Sequence, residues 1–201
     1  MFYRAEDGHG LPHNPFKAII SPRPIAWIST QDGAGVPNLA PYSFFNGVSD
    51  APMQVMFAST GAKDDQDGTK DTVANIRETG EFCVNIVSHA LMQAMNVSTE
   101  GFDKGVNEFE KAGLTAAHCN TIGCPRVYEA PASLECKLDQ IIRLKGDTNY
   151  MVIGEVTGVH LQDDCIVDGI FDVTKYQPLA RLGYRDYAKV SEVFSLARPG
   201  D

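Results

Sequence analysis

SPRPIAWIST (residues 21–30), QDGAGV (31–36) and PNLAPYSFFNGVS (37–49) run on from one another, and the reading of this stretch decides the fold. Its periodicity is closer to two than to 3.6, so it reads as strands and not as a helix. Asp32-Gly33-Ala34-Gly35 carries a hairpin-loop signal between two strands. Residues 17–31 give one or two strands, broken at Pro22-Arg23-Pro24. Proline donates nothing to a ladder, so that break belongs on an edge or a bend. The second strand runs from Asn38 into a polar segment. It mixes Asn38, Pro41, Tyr42, Ser43, Asn46 and Ser49 with Leu39, Ala40, Phe44, Phe45 and Val48.

Outward from this hairpin the same period recurs. Residues 52–59 (PMQVMFAS) and 81–87 (EFCVNIV) read as further strands. In 133–144, Leu134, Cys136, Leu138, Ile142 and Leu144 form an apolar face, with Gln140 the exception. Glu135, Lys137, Asp139 and Arg143 form a polar one. Gly146-Asp147-Thr148-Asn149 turns the chain into a long strand at 150–161, where Gly154 and Gly158 mark bulges or bends. Helices are few and short. One covers roughly 71–78 and is closed by Gly80. One starts near Ser88 as N-cap and covers 90–96. One covers 107–112, capped by Asn107 and ended by Gly113. Residues 60–70 (TGAKDDQDGTK) read as a surface loop. Six or more closely spaced strands point to a mainly β protein, a barrel rather than alternating βα units.

The 201 residues are most simply one domain, 1–201, long enough to bury a core without staples. A net charge of −9 argues against a nucleic-acid binder but leaves room for a small anionic ligand. No apolar run approaches the roughly 18 residues of a membrane span. The first ten residues, MFYRAEDGHG, lack an apolar signal region, so a cytoplasmic location is expected. Five cysteines, an odd number, then read as free thiols, with Cys83 and Cys136 in the core.

Two segments carry candidate chemistry. Thr69-Lys70-Asp71-Thr72 precedes a helix whose first amides and dipole suit an anion, with Thr69 and Thr72 as hydroxyl donors and Asp71 as the cap. An ordinary capped surface helix explains the same residues. The mixture over 38–49 suits a flat heteroaromatic ligand, or equally an irregular strand-to-loop transition. Trp27, the one tryptophan, reads as core, and Ser29 and Thr30 end its strand. His118, Cys119 and Cys124 are a weak zinc signal, better read as loop residues without metal. Neither a P-loop nor a G-x-S-x-G elbow is present.

SPRPIAWIST, NLAPYSFFN and KDT-VANI-x-x-TGEFCVNIV, followed by NEFEKAGL (107–114), PRVYEAPASLECKL (125–138) and PLARLGYRDY (178–187), together resemble the flavin reductase-like family over about residues 12–199. The resemblance implies a Greek-key split β-barrel with a few short peripheral helices, a homodimer, and FMN near the subunit interface. It would place Asn38, Leu39, Ala40, Pro41, Tyr42 and Ser43 along the isoalloxazine, with Asn46 close by and Ser29 and Thr30 on the neighbouring strand. Ser59, Thr60, Lys70, Asp71 and Thr72 would surround the ribityl phosphate, and Arg23 is a further candidate. The implied activity is transfer of hydride from NAD(P)H to the flavin, with electrons passed on to a partner monooxygenase, another redox protein or a ferric chelate. A flavin-binding electron carrier without NAD(P)H oxidation is the alternative. The family's RLGG is here Arg181-Leu182-Gly183-Tyr184, which bears on access to the site.

Overall fold

The structure is a computed structural model that describes residues 1–62, 68–103 and 105–200. The middle of the loop expected over 60–70 therefore lies outside the described residues. The chain opens with α1 (Phe16–Ile19), β1 (Arg23–Pro24), β2 (Ala26–Gln31), β3 (Pro37–Tyr42), β4 (Phe45–Asp50) and β5 (Met53–Ser59). Helix α2 (Asp71–Thr79) leads into β6 (Glu81–Ile86), and a 3-10 turn at His89–Leu91 leads into α3 (Met92–Val97) and then α4 (Glu108–Lys111). There follow β7 (Ala116–Ala117), β8 (Arg126–Val127), β9 (Ala132–Arg143), β10 (Tyr150–Leu161), β11 (Ile166–Val167) and β12 (Ile170–Phe171). Helix α5 (Val173–Tyr176), β13 (Leu179–Arg181) and β14 (Tyr187–Lys189) complete the order.

Seven strands form one antiparallel sheet in the order β3-β2-β6-β9-β10-β5-β4. Its two edge strands, β3 and β4, are consecutive in the chain, and only Ser43 and Phe44 separate them. The sheet must therefore curl until its edges approach. They are joined by chain and not by ladder, so the barrel is split. The mainly β fold with short outer helices is as the sequence implied. The second strand, read as running from Asn38 into a polar segment, ends at Tyr42, and after Ser43-Phe44 the chain continues as β4 on the opposite edge.

Residues 17–20 are also corrected, from strand to a helical turn. Asn14 Oδ1 accepts from the Phe16 amide at 2.9 Å, and Pro15 O accepts from Ala18 at 2.9 Å and Ile19 at 3.0 Å. Asn-Pro is a helix-start pair, and it overrides the alternation. The β2–β3 turn forms as expected, with Asp32 Oδ1 accepting from Ala34 N at 3.0 Å and Val36 N at 2.8 Å. Gly80 ends α2 in the left-handed region (φ 73°), its amide bonded to Ile76 O. Ser88 does not cap by its side chain, whereas Asn107 does, accepting from Phe109 N.

The barrel interior holds Ile28, Tyr42, Phe57, Phe82, Val84 and Val152, closed by Val73 and Ile76 of α2. The opposite face of β2 and β3 packs Trp27 and Leu39 against Met95, Phe109 and Val127. Trp27 is fully buried, and its Nε1 donates to Ser98 Oγ at 2.8 Å. Register shifts at Ile153/Gly154 and Val156/Gly158 put bulges at both predicted glycines. A Cβ on Gly154 would stand 2.4 Å from the Phe82 ring, so the glycine is required for close approach.

Candidate functional site

β3 pairs with β2 on one side only, and the Leu39 amide points the other way, donating to Glu108 of α4 at 3.2 Å. Positions 37 and 41 share that outward parity. Both are proline, which removes no ladder bond there. The amides of Asn38, Ala40 and Tyr42 run back to β2 by the same alternation. The backbone of 38–42 is thus either engaged or without N–H. The side chains of 38–42 are therefore what this strand offers a ligand.

Alternation also divides the side chains. Asn38, Ala40 and Tyr42, with Pro41, line a cavity of about 300 Å³, and across it stand Lys70, Asp71 and Thr72 at the start of α2. The two sequence segments singled out for chemistry thus share one cavity. Ser98, Thr99, Glu100, Gly101 and Glu108 complete its wall. They were missed in the sequence: 98–101 is a short polar run between two helices, and Glu108 reads as an ordinary residue of the 107–112 helix. A second cavity of about 380 Å³ adjoins the first, sharing Pro41, Tyr42 and Thr99 with it. Ser43, Arg181 and Tyr187 lie on its wall, and the Arg181 guanidinium stacks 4.4 Å from the Tyr187 ring centroid. Clefts of a few hundred Å³ at a sheet edge suit a cofactor-sized ligand.

The remaining candidates separate. Thr30 is buried and lines neither cavity; Asn75 Nδ2 donates to it at 3.1 Å and Asn38 Nδ2 at 3.4 Å. Asn38 Nδ2 also donates to Thr72 Oγ1 at 3.0 Å. This network locks the first helical turn of α2 to β3. Ser59 is buried beside Tyr42, and Thr60 is exposed. Ser29 and Leu39 are fully buried on the opposite face, Ser29 accepting from Asn85 Nδ2 at 3.0 Å. Asn46 is exposed on β4 and lines neither cavity. Arg23 is taken up structurally: its guanidinium donates to Lys17 O, Ile20 O and, at 2.7 Å, Leu182 O. Tyr184 stands at φ 56°, the left-handed region where the family's second glycine would be unstrained. Its ring is half-exposed and lines neither cavity, while its carbonyl accepts from Arg181 at 2.6 Å.

Electrostatically the cavity is mixed. Lys70 occupies the N-cap position of α2 without capping by its side chain, so the cap expected of Asp71 is corrected to a charged residue in the first turn. Lys70 Nζ lies 5.8 Å from the Tyr42 ring centroid. Burial pushes the Tyr42 phenol up to about 12, against the opposing pull of the Thr72 and Ser59 hydroxyls. Neither hydroxyl completes a well-aligned bond, and Tyr42 Oη has no hydrogen-bond partner among the described residues. An orphaned buried hydroxyl on a cavity wall fits a polar ligand atom. Among the described residues no helix is long and apolar enough to cross a membrane.

Comparison with known proteins identifies the family. Residues 20–180 match the flavin reductase like domain. An uncharacterised protein from Aquifex aeolicus is 39% identical over 172 residues, 85% of this chain and 86% of that one. Nitrilotriacetate monooxygenase component B from Bacillus cereus superposes with a TM-score of 0.84 at 30% identity, over 94% of this chain and all of that one. A candidate flavin reductase with a split-barrel domain from Shewanella frigidimarina superposes at 0.82 with 23% identity, over 99% and 100% of the two chains. This chain belongs to the flavin reductase-like family.

Proposed function

We propose that the chain binds FMN and acts as an NAD(P)H-dependent flavin oxidoreductase. The observation that carries this is the single cavity lined by Asn38, Ala40, Pro41 and Tyr42 on one side and Lys70, Asp71 and Thr72 on the other. The residues suit the cofactor in kind. Lys70 and the start of α2 favour an anion at one end. Ala40, Pro41 and Tyr42 offer apolar surface for a ring system, and the Tyr42 hydroxyl awaits a polar partner. Bound there, the flavin would supply the two-electron chemistry. The chain's residues bind, orient and exclude water: the Asn38–Thr72–Thr30–Asn75 network fixes the spacing of β3 and α2, and Glu108 braces the free edge of β3. No side chain is assigned as an acid or base, because hydride transfer to a flavin requires none.

The adjoining cavity, with Ser43, Arg181 and Tyr187, is the place for the donor or acceptor. A homodimer is part of the same reading. It is supported by the outer edge of β4, unpaired among the described residues, by Val48 and Met53 half-exposed there, and by Phe194 and Leu196 on an exposed C-terminal segment. Similarity to a monooxygenase component B supports a partner oxygenase as the electron acceptor. Anaerobic mixing of the FMN-loaded protein with NADH or NADPH tests the activity. Bleaching of the flavin by either is expected; retention of the oxidised spectrum with both would leave an electron carrier without donor oxidation.

A further inference from the structure

One cross-strand row on the outer face of the sheet is made of Leu39, Ser29, Cys83, Glu135 and Gly158. The connection through 116–127 covers it. Cys124 Sγ approaches Ser29 O at 3.7 Å, and Glu81 accepts from the Gly123 amide at 2.6 Å. The sequence pattern placed Glu135 on the face of β9 opposite Leu134 and Cys136; the structure keeps it there but covers it, so its carboxylate has no exposed surface. The Asn120 amide donates to it at 2.7 Å, and the Thr121 amide and hydroxyl each donate at 2.6 Å. His160 Nε2 of β10 stands 2.5 Å from Oε1. Gly158 makes room, since a Cβ there would lie 3.1 Å from Oε2.

Cys119 reaches the same point from the covering connection. Its thiol, a Glu135 carboxylate oxygen and a His160 ring nitrogen all lie within 4.8 Å of one another. The local motif His118, Cys119 and Cys124 does not form this group: Cys124 packs with Cys83, Ile122 and Cys119, and its thiol turns to Ser29 O. We propose that Cys119, Glu135 and His160 bind one divalent cation of the zinc class, which ties the 116–127 connection to β9 and β10.

A thiolate, an imidazole and a carboxylate form a borderline-soft donor set that suits zinc, whereas magnesium and calcium take oxygen alone. Zinc bonds of roughly 2.0–2.3 Å put tetrahedral ligand atoms about 3.2–3.8 Å apart, a rotamer-scale adjustment from the observed cluster. Glu135 is already oriented for a metal: the amides of Asn120 and Thr121 and the Thr121 hydroxyl donate to its carboxylate oxygens, and His160 stands against Oε1. Asn120 and Thr121 would then serve as the outer partners that fix a metal-bound carboxylate. On binding, Cys119 loses its thiol proton to solvent, and His160 exchanges its contact with Glu135 for the metal. His160 borders an open groove with Arg126, Tyr128 and Gln162, so water can fill a fourth position.

The test is chelator treatment of the full chain, then titration with cobalt(II) followed by difference spectroscopy and by metal content after desalting. One cobalt per chain with a thiolate-to-cobalt charge-transfer band, displaced by zinc, is expected. Cys119→Ser should abolish the band, and His160→Gln should weaken binding by at least about tenfold. Cys124→Ser should leave the band intact. Circular dichroism on each variant separates loss of the site from loss of the fold. Absence of the band in the wild-type chain, or a band of equal strength in Cys119→Ser, would overturn the proposal.

Discussion

Lys70→Met isolates the charge at the cavity. The methionine keeps an unbranched apolar stem beside Tyr42 and removes the ammonium. The position is well defined: Nζ lies 5.8 Å from the Tyr42 ring, and Cε lies 4.0 Å from where a Cβ on Gly61 would sit. The cation is thus held between the start of α2 and the end of β5. Opposite charges about 4 Å apart attract by about 4 kcal/mol at an effective dielectric of 20, before desolvation is subtracted. Measured charge-assisted hydrogen bonds retain about 1.5–3 kcal/mol, equivalent to a roughly 10- to 150-fold loss of affinity. Fluorescence titration with FMN should show a loss in that range. Riboflavin has the same ring without phosphate, and its affinity should change by no more than about twofold. Equal losses for the two ligands would mean that Lys70 acts through the Tyr42 ring, and no loss for FMN would remove it from the site.

Three further changes test the scaffold. Gly154→Ala drives a methyl into the buried Phe82 ring; overpacking should lower stability by about 2 kcal/mol, or roughly 4–8 °C by calorimetry. An unchanged midpoint would show that the bulge relaxes freely. Asn85 donates to Trp27 O and Ser29 Oγ and accepts from Val127 N and Ser133 Oγ, so Asn85→Ala strands four buried groups and should cost about 3 kcal/mol in urea unfolding. Less than about 1 kcal/mol would mean that those groups re-pair. The Tyr42 phenol is raised in the folded state, so its contribution to stability is complete below about pH 10 and is lost as the pH climbs to about 12. Tyr42→Phe should retain about 3 kcal/mol more stability than wild type across that window, and parallel pH curves would contradict the assignment.

Much of the barrel was legible because its signals are local. The β9–β10 hairpin follows from alternation plus Gly146-Asp147-Thr148-Asn149, and α2 follows from one amphipathic turn and Gly80. The exchange of edges at Ser43-Phe44 was not, because propensity does not say which neighbour a strand will take. The shared cavity of 38–42 and 70–72 was legible as two motifs, but their meeting depends on how the sheet curls. Ser29 and Leu39 lie one residue off the cavity face, so strict period-two reasoning over β2 and β3 separates them from Thr30 and Asn38 once register is known. Glu135 looked like a surface charge because the covering connection lies 8 to 19 residues upstream of it and leaves no mark on the strand's own pattern. Cys119, Glu135 and His160 share no spacing that a motif could reveal.

The most direct measurement is flavin content after gel filtration of the purified chain incubated with excess FMN. The account predicts one FMN retained per chain, with a perturbed visible spectrum. Protein that emerges colourless and leaves the spectrum of added FMN unchanged would contradict it.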